Sequence, residues 1–158
     1  ISYIEENQPL GTLGSINLIK DSKYSDLLII NSDILTNIDL TDFFISFKES
    51  KAEMSIATTS YNVNVPYAVL ETVNGKVTSM KEKPSYTYFA NAGIYLIKKR
   101  LLKEIPKDQF YNATDLIDKL INERRLVITY LILGYWLDIG KHEDYIKANQ
   151  DFSHIKFK

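Results

Sequence analysis

The chain has no cysteine, which excludes disulfides, thiolate zinc sites and a cysteine nucleophile, and makes a reducing, cytoplasmic setting the expectation. Its 2 histidines, His142 and His154, have no partner at metal-ligand spacing and read as surface residues. Neither sign of charge is in excess: 19 basic against 20 acidic side chains leave a net charge of −1, which argues against a nucleic-acid footprint spread over the surface. No apolar run approaches the ~20 residues that a bilayer requires, so no membrane partner is expected. Low-complexity tracts, internal repeats and linkers are also missing. What is there is a 158-residue chain that is 45% hydrophobic, enough for one domain with its own core. The first residue is Ile1, inside a strand-like pattern, so the chain reads as a piece of a longer one.

Leu27-Leu28-Ile29-Ile30 is apolar at every position, which suits a strand covered on both faces, the central strand of a parallel or mixed sheet. Before it, residues 1–6 read as a short strand. Residues 8–12 read as a turn into a helix that Thr12 caps, with Leu13, Ile16 and Ile19 or Lys20 at helical spacing. After it, Asp39 or Thr41 caps a helix carrying Phe43, Phe44 and Phe47 on one stripe, and residues 53–59 read as a strand. Residues 67–72 and 76–81 flank Asn74-Gly75, which readily supplies the positive φ angles of a two-residue hairpin turn. Residues 86–97 form a further strand, and a helix near Lys98 must stop before Pro106. Asn112 caps a helix with Asp115 in its first turn and Leu116, Ile117, Leu120 and Ile121 on its buried face. Residues 126–133 form a buried strand, and a last helix lines up Tyr145, Ala148, Asn149 and Phe152. Helix and strand alternate early and a hairpin is inserted midway. The expected fold class is therefore α/β, a mixed, mostly parallel sheet between helices with an inserted β-hairpin.

Five short stretches can carry chemistry. Asp33 stands where the Leu27–Ile30 run ends, and open α/β sheets bind ligands outside the carboxyl ends of their strands. A divalent cation is one reading of Asp33; a turn or cap toward Thr36 is the other. Gln8-Pro9-Leu10-Gly11-Thr12 bring free backbone N–H groups to a helix start, as does any loop-to-helix turn. Glu82-Lys83-Pro84 set a charged pair against a proline, and both side chains reach one ligand only if the chain bends there; a solvated edge beside Lys81 also explains them. Asn91-Ala92-Gly93 interrupt a strand with small residues, marking either a bulge or the close approach of a ligand or another backbone. Trp136-Leu137-Asp138-Ile139-Gly140 offer a second carboxylate after a second apolar run, or a cap for the last helix. Mg²⁺ is commonly held by one or two carboxylates together with water and substrate phosphate, and Asp33 with Asp138 would make such a pair.

Taken together and in this order, these stretches resemble the sugar nucleotidyltransferases, the nucleoside-diphosphate-sugar pyrophosphorylases, from residue 3 to about residue 151. The resemblance implies a Rossmann-like sheet and makes residues 1–158 the C-terminal portion of a single nucleotidyltransferase domain. It implies a reaction in which a sugar 1-phosphate attacks the α-phosphorus of a nucleoside triphosphate, releasing pyrophosphate and forming a nucleotide sugar. Asp33 and Asp138 would hold Mg²⁺ and, with Lys83, act as the catalytic group. Gln8, Pro9, Leu10, Gly11 and Thr12 would bind the nucleotide base. Tyr67, Glu82, Lys83, Asn91, Gly93 and Thr114 would bind the sugar phosphate, Lys83 as a point charge and Glu82 as an acceptor from sugar hydroxyls.

The chain also departs from the family. A glycine-rich loop with its arginine and a following lysine, which belongs to the family's first strand–helix turn, is absent from these residues, and with it the backbone amides that cradle a triphosphate. The 158-residue polypeptide by itself is therefore expected to have little or no transferase activity, and a steady-state assay with normal turnover would refute that. Leu13 stands where the family usually has alanine, Ser32 where it usually has glycine, and Asn112 where some relatives have an acidic sugar contact. A non-catalytic nucleotide-sugar-binding or regulatory module of the same fold is the alternative. A metal-dependent glycosyltransferase would want an Asp-x-Asp, of which Asn31-Ser32-Asp33 supplies one carboxylate. Base and sugar cannot be read from these residues. Apolar strand faces left exposed by a truncated sheet would invite a homo-oligomer.

Overall fold

Six consecutive residues, Ala92 to Ile97, are buried, and the strand that carries them, β6 (Ser85–Lys98), lies inside the sheet. The computed structural model describes residues 3–19 and 23–157. A four-stranded sheet runs in the order β1 (Asp26–Ile30), β6, β3 (Met54–Asn64), β7 (Val127–Leu131). Both β1 and β3 are antiparallel to β6, and β7 is parallel to β3. The sheet is mixed but mostly antiparallel, which corrects the expected mostly parallel one.

The reason lies in the connections. β1, β3 and β7 all run the same way, as helical crossovers require. From β3, however, the chain passes through the hairpin β4 (Val69–Val73) and β5 (Lys76–Lys81), so β6 returns reversed. One reversed strand between two neighbours makes two of three pairings antiparallel. The hairpin turn itself is as read, with Asn74 and Gly75 both at positive φ (49° and 77°).

Other corrections concern edges. β1 is an edge strand among the described residues, not the central one. Leu27 and Ile29 pack into the core while Leu28 and Ile30 are 44% and 46% exposed. β7 is the opposite edge and is half-buried rather than buried. Residues 3–6 form no strand, and Ile1 and Ser2 lie outside the described residues, as does Lys20. Helix α1 (Gly11–Gly14), continued by a 3-10 turn at Ser15–Leu18, has Leu10 at its N-cap and no side-chain cap, so Thr12 lies inside it. Backbone bonds from Tyr111 N–H to the Leu10 carbonyl and from Leu13 N–H to the Tyr111 carbonyl, both 2.9 Å, dock that start instead.

Helices cover both faces. Met54, Ile56, Tyr95 and Ile97 meet Leu13, Leu101 of the 3-10 turn Lys99–Glu104, and Leu116 and Leu120 of α3 (Ala113–Asn122). Ala57, Ala92, Ile94 and Leu96 meet Phe43 and Phe47 of α2 (Leu40–Ser50). The period-2 alternation of β6 thus feeds two cores, Tyr95 and Ile97 on one side and Ile94 and Leu96 on the other. Phe44 and Ile121, expected on buried faces, are exposed. Asp39 caps α2 by accepting from the Asp42 N–H at 3.0 Å, and Asn112 with Asp115 forms a capping box on α3. In α4 (His142–Phe152) only Ala148 of the expected stripe is buried.

A charge network ties the strand ends together. Glu53, at the start of β3, is paired with Arg100 and, at 2.9 Å, with Arg125, which also bonds Glu104 and Glu123. Hydrogen bonding from Arg100, against the opposing effect of burial and reinforced by Arg125, lowers the Glu53 carboxyl from its ordinary 4.5 to about 2. A depressed carboxyl stabilises the fold fully above its unfolded value, and that contribution fades as pH falls from about 4.5 toward about 2. The exposed Arg100 is screened by solvent, so the expected contribution is on the order of 2 kcal/mol. Glu53→Gln should lower the thermal midpoint at pH 7 and flatten its fall between those two pH values; a wild-type-like profile would show that the network contributes nothing. Asp26 is likewise held below the usual carboxylate range. Burial would raise it, but hydrogen bonds from Lys48, Lys98 and Ser25 outweigh burial.

Candidate active site

β1 and β7 end, at Ile30 and Leu131, on either side of the stretch where β6 is irregular, while β3 runs on to Asn64. Ile56 pairs with Tyr95 and Thr58 with Asn91, so between these pairs one residue of β3, Ala57, faces three of β6, and the surplus makes a bulge at Ala92-Gly93-Ile94. Gly93 sits at φ 71°, and its amide donates to Asn91 Oδ1 at 2.9 Å. Asn91 Nδ2 donates to the Tyr95 hydroxyl at 2.9 Å, and the Trp136 indole N–H to the Ala92 carbonyl at 2.9 Å. Burial pushes the Tyr95 hydroxyl pKa up, and the bond from Asn91 pulls against it. Both sequence readings of Asn91-Ala92-Gly93 hold: there is a bulge, and another backbone comes close, since Asn31 N–H donates to the Gly93 carbonyl at 2.9 Å.

Space is kept for that approach. A β-carbon on Gly93 would lie 2.8 Å from both the Asn31 amide nitrogen and Ile34 Cδ1. Gly93→Ala combines that clash with a left-handed backbone. It should lower the thermal midpoint by several degrees and push Asn31 from its place, detectable as shifted amide resonances at Asn31 and Ile34; an unchanged spectrum would refute the packing.

Two clefts adjoin at Asn31. One is lined by Glu6, Gly11, Thr12, Asn31, Ser32 and Asp33; the other by Asn31, Ile34, Asn91, Gly93, Tyr95, Trp136 and Asp138. The aspartates are brought together by β2 (Ile34–Thr36) and β8 (Trp136–Asp138), an antiparallel pair in which Ile34 faces Asp138. Ile139 N–H donates to the Asp33 carbonyl at 2.7 Å, which leaves the two α-carbons roughly 6 Å apart. Their side chains open into the two neighbouring clefts rather than into one. Both residues are exposed. Among the described residues no basic side chain pairs with either, and no three acidic or histidine side chains gather to hold a metal alone. Two open carboxylates with all-oxygen donors fit a hard cation that takes its remaining ligands from water and phosphate.

Gly11 and Thr12 line the Asp33 cleft, and Asn91 and Gly93 the Asp138 cleft. Gln8 and Pro9 are exposed outside both, and Leu10 is buried against Tyr111. Leu13 points into the core, fully buried, and so faces no ligand. Glu82, Lys83 and Tyr67 stand at the far end of the β3–β6 ribbon, exposed and lining neither cleft. The chain does bend there: Lys83 has φ 42°, and Val65 N–H donates to the Pro84 carbonyl at 3.0 Å. Thr114 is exposed in the first turn of α3, also outside the clefts. Sequence reasoning missed the Asn31 side chain, whose one signal is that it opens the polar triplet ending the β1 run.

A family model described as nucleotidyl transferase matches residues 1–154. The probable mannose-1-phosphate guanylyltransferase 3 of Arabidopsis thaliana is 30% identical over 158 residues, covering 95% of this chain and 47% of that protein. The D-glycero-alpha-D-manno-heptose 1-phosphate guanylyltransferase of Aneurinibacillus thermoaerophilus is 27% identical, covering 98% and 68%. The chain spans about half the length of the mannose-1-phosphate guanylyltransferases that it matches. Among solved structures, HddC from Yersinia pseudotuberculosis complexed with GMP-PN superposes with a TM-score of 0.67 at 28% identity, over 94% of this chain and 65% of that one. A putative glucose-1-phosphate thymidylyltransferase from Bacillus anthracis, 22% identical with a TM-score of 0.71, shares the fold over 99% of this chain and 67% of its own.

Proposed function

We propose that this chain, which belongs to the nucleotidyl transferase family, is the part of a sugar-1-phosphate guanylyltransferase that carries the acidic centre and the sugar cleft. The observation that carries this reading is that the β2–β8 pairing sets Asp33 and Asp138 at the rims of two neighbouring clefts that share Asn31. The relatives named above support guanine as the base and a manno-configured sugar 1-phosphate as the acceptor.

In the reaction two anions must approach, so positioning and charge neutralisation are the main tasks of the protein. Oxygen of the sugar 1-phosphate attacks the α-phosphorus of GTP in line, and the bond from that phosphorus to the bridging oxygen of pyrophosphate breaks. Asp33 and Asp138 are the residues that would hold Mg²⁺, which when bound offsets the charge of the phosphates. The cleft at Gly11 and Thr12 presents small side chains to the nucleotide. The cleft at Asn91 and Gly93 takes the sugar. Lys83 and Glu82 stand at the ribbon end outside both clefts, so no step is routed through them.

The test is the full-length protein with GTP, Mg²⁺ and mannose 1-phosphate, read as GDP-mannose by chromatography and as pyrophosphate by a coupled assay, with ATP, CTP, UTP and dTTP in parallel. The expected result is formation of the guanosine product, and preference for another nucleotide would overturn the base assignment. Binding of GDP-mannose without turnover would favour a non-catalytic module.

A further inference from the structure

Resting on that reading, we propose that Asn31 is a substrate contact, its side-chain amide hydrogen-bonding a hydroxyl group of the sugar 1-phosphate in the Asp138 cleft. The candidate amides of that cleft differ in what they have left to give. Asn91, which the motif would favour, has each end of its side chain engaged, with Oδ1 taking the Gly93 N–H and Nδ2 reaching the Tyr95 hydroxyl. The Trp136 N–H is spent on the Ala92 carbonyl. Asn31, in contrast, makes no side-chain hydrogen bond among the described residues, although it is half-buried. Its amide atoms are open to solvent, so both ends are free to exchange water for the groups of a ligand.

Its position is fixed by the fold. Backbone pairing with the Gly93 carbonyl at 2.9 Å sets the Asn31 main chain, and the missing β-carbon of Gly93 leaves room for the amide, which stands over that glycine on the sugar side. An amide offers donors at one end and an acceptor at the other, and so does a sugar hydroxyl; a phosphate oxygen only accepts. The match is therefore to hydroxyl groups. Asn91 props the bulge with one donor and one acceptor and keeps one of each for the cleft.

The experiment uses the full-length protein with GTP, Mg²⁺ and mannose 1-phosphate. Asn31→Ala should raise KM for mannose 1-phosphate about tenfold, the loss expected for a directional contact or two, and by a larger factor than KM for GTP, with the thermal midpoint near wild type. For one monodeoxy analogue of mannose 1-phosphate, wild type and variant should give the same KM, a coincidence that a purely structural role would not produce. Asn91→Ala should lower the thermal midpoint. If Asn31→Ala is poorly folded, the uncharged Asn31→Ser is read in the same way. A wild-type KM for mannose 1-phosphate in a folded Asn31 variant overturns this inference alone. An inactive wild type that binds no sugar phosphate overturns the guanylyltransferase reading and this contact with it.

Discussion

Asp33→Asn in the full-length protein is expected to lower kcat/KM for nucleotide-sugar formation by about a hundredfold or more, and Asp138→Asn by a similar factor. Each change keeps the shape of the side chain and removes one of two negative charges that adjoin at the β2–β8 pair. Charge stabilisation through a bound cation amounts to several kcal/mol, and each ~1.4 kcal/mol is a factor of ten in rate. Neither carboxylate has a basic partner among the described residues, so neither should be needed for folding. The thermal midpoints of both variants should stay close to wild type, and the Mg²⁺ concentration giving half-maximal rate should rise. Pyrophosphate release measured across a Mg²⁺ titration decides this. Activity within threefold of wild type in either variant would remove that aspartate from the metal site.

Phe47→Ala is expected to destabilise the protein by about 3–5 kcal/mol, the range for emptying a buried aromatic site. Phe47 and Phe43 are fully buried where α2 crosses the sheet, over Ala57, Ile94 and Leu96. Small residues at Ala52, Ala57 and Ala92 leave the volume that the rings fill. The Lys98 ammonium lies 4.4 Å from the Phe47 ring centroid and loses that contact too. Since whole domains are stable by only about 5–15 kcal/mol, this one change removes a large share. Chemical denaturation would show it as a drop in midpoint with little change in slope. Phe44→Ala, on the 43% exposed neighbour, should cost far less. A small loss for Phe47→Ala would contradict the packing of α2.

Much of the local structure was legible in the residues. Asp39 at the start of α2, the Asn112 and Asp115 pair on α3, and the Asn74-Gly75 turn are where the side chains said they would be. Each is decided within about four residues by a cap or a φ preference, so no distant contact is needed. Legible too was the choice of Asp33, Asp138, Asn91 and Gly93 as residues that share a neighbourhood. The side-chain division of labour there was not: Asn91 is engaged in holding the bulge, while Asn31 stands unpartnered between the clefts.

By itself the sequence determined where α2, α3, β3, β5 and β6 begin, the turn of the hairpin and the polar breaks after two apolar runs, though not the short strands β2 and β8, because the former follow from periodicity and capping along a short stretch of chain. Only the tertiary structure decided that β6 and not β1 is covered on both faces, that two of three pairings in the main sheet are antiparallel, and that Gly93 makes room for Asn31. The physical reason is that an apolar run states how much it must bury but not which neighbours will cover it. That choice depends on strand edges supplied from as far as 104 residues away, the separation of Ile34 from Asp138, and no local pattern carries that information.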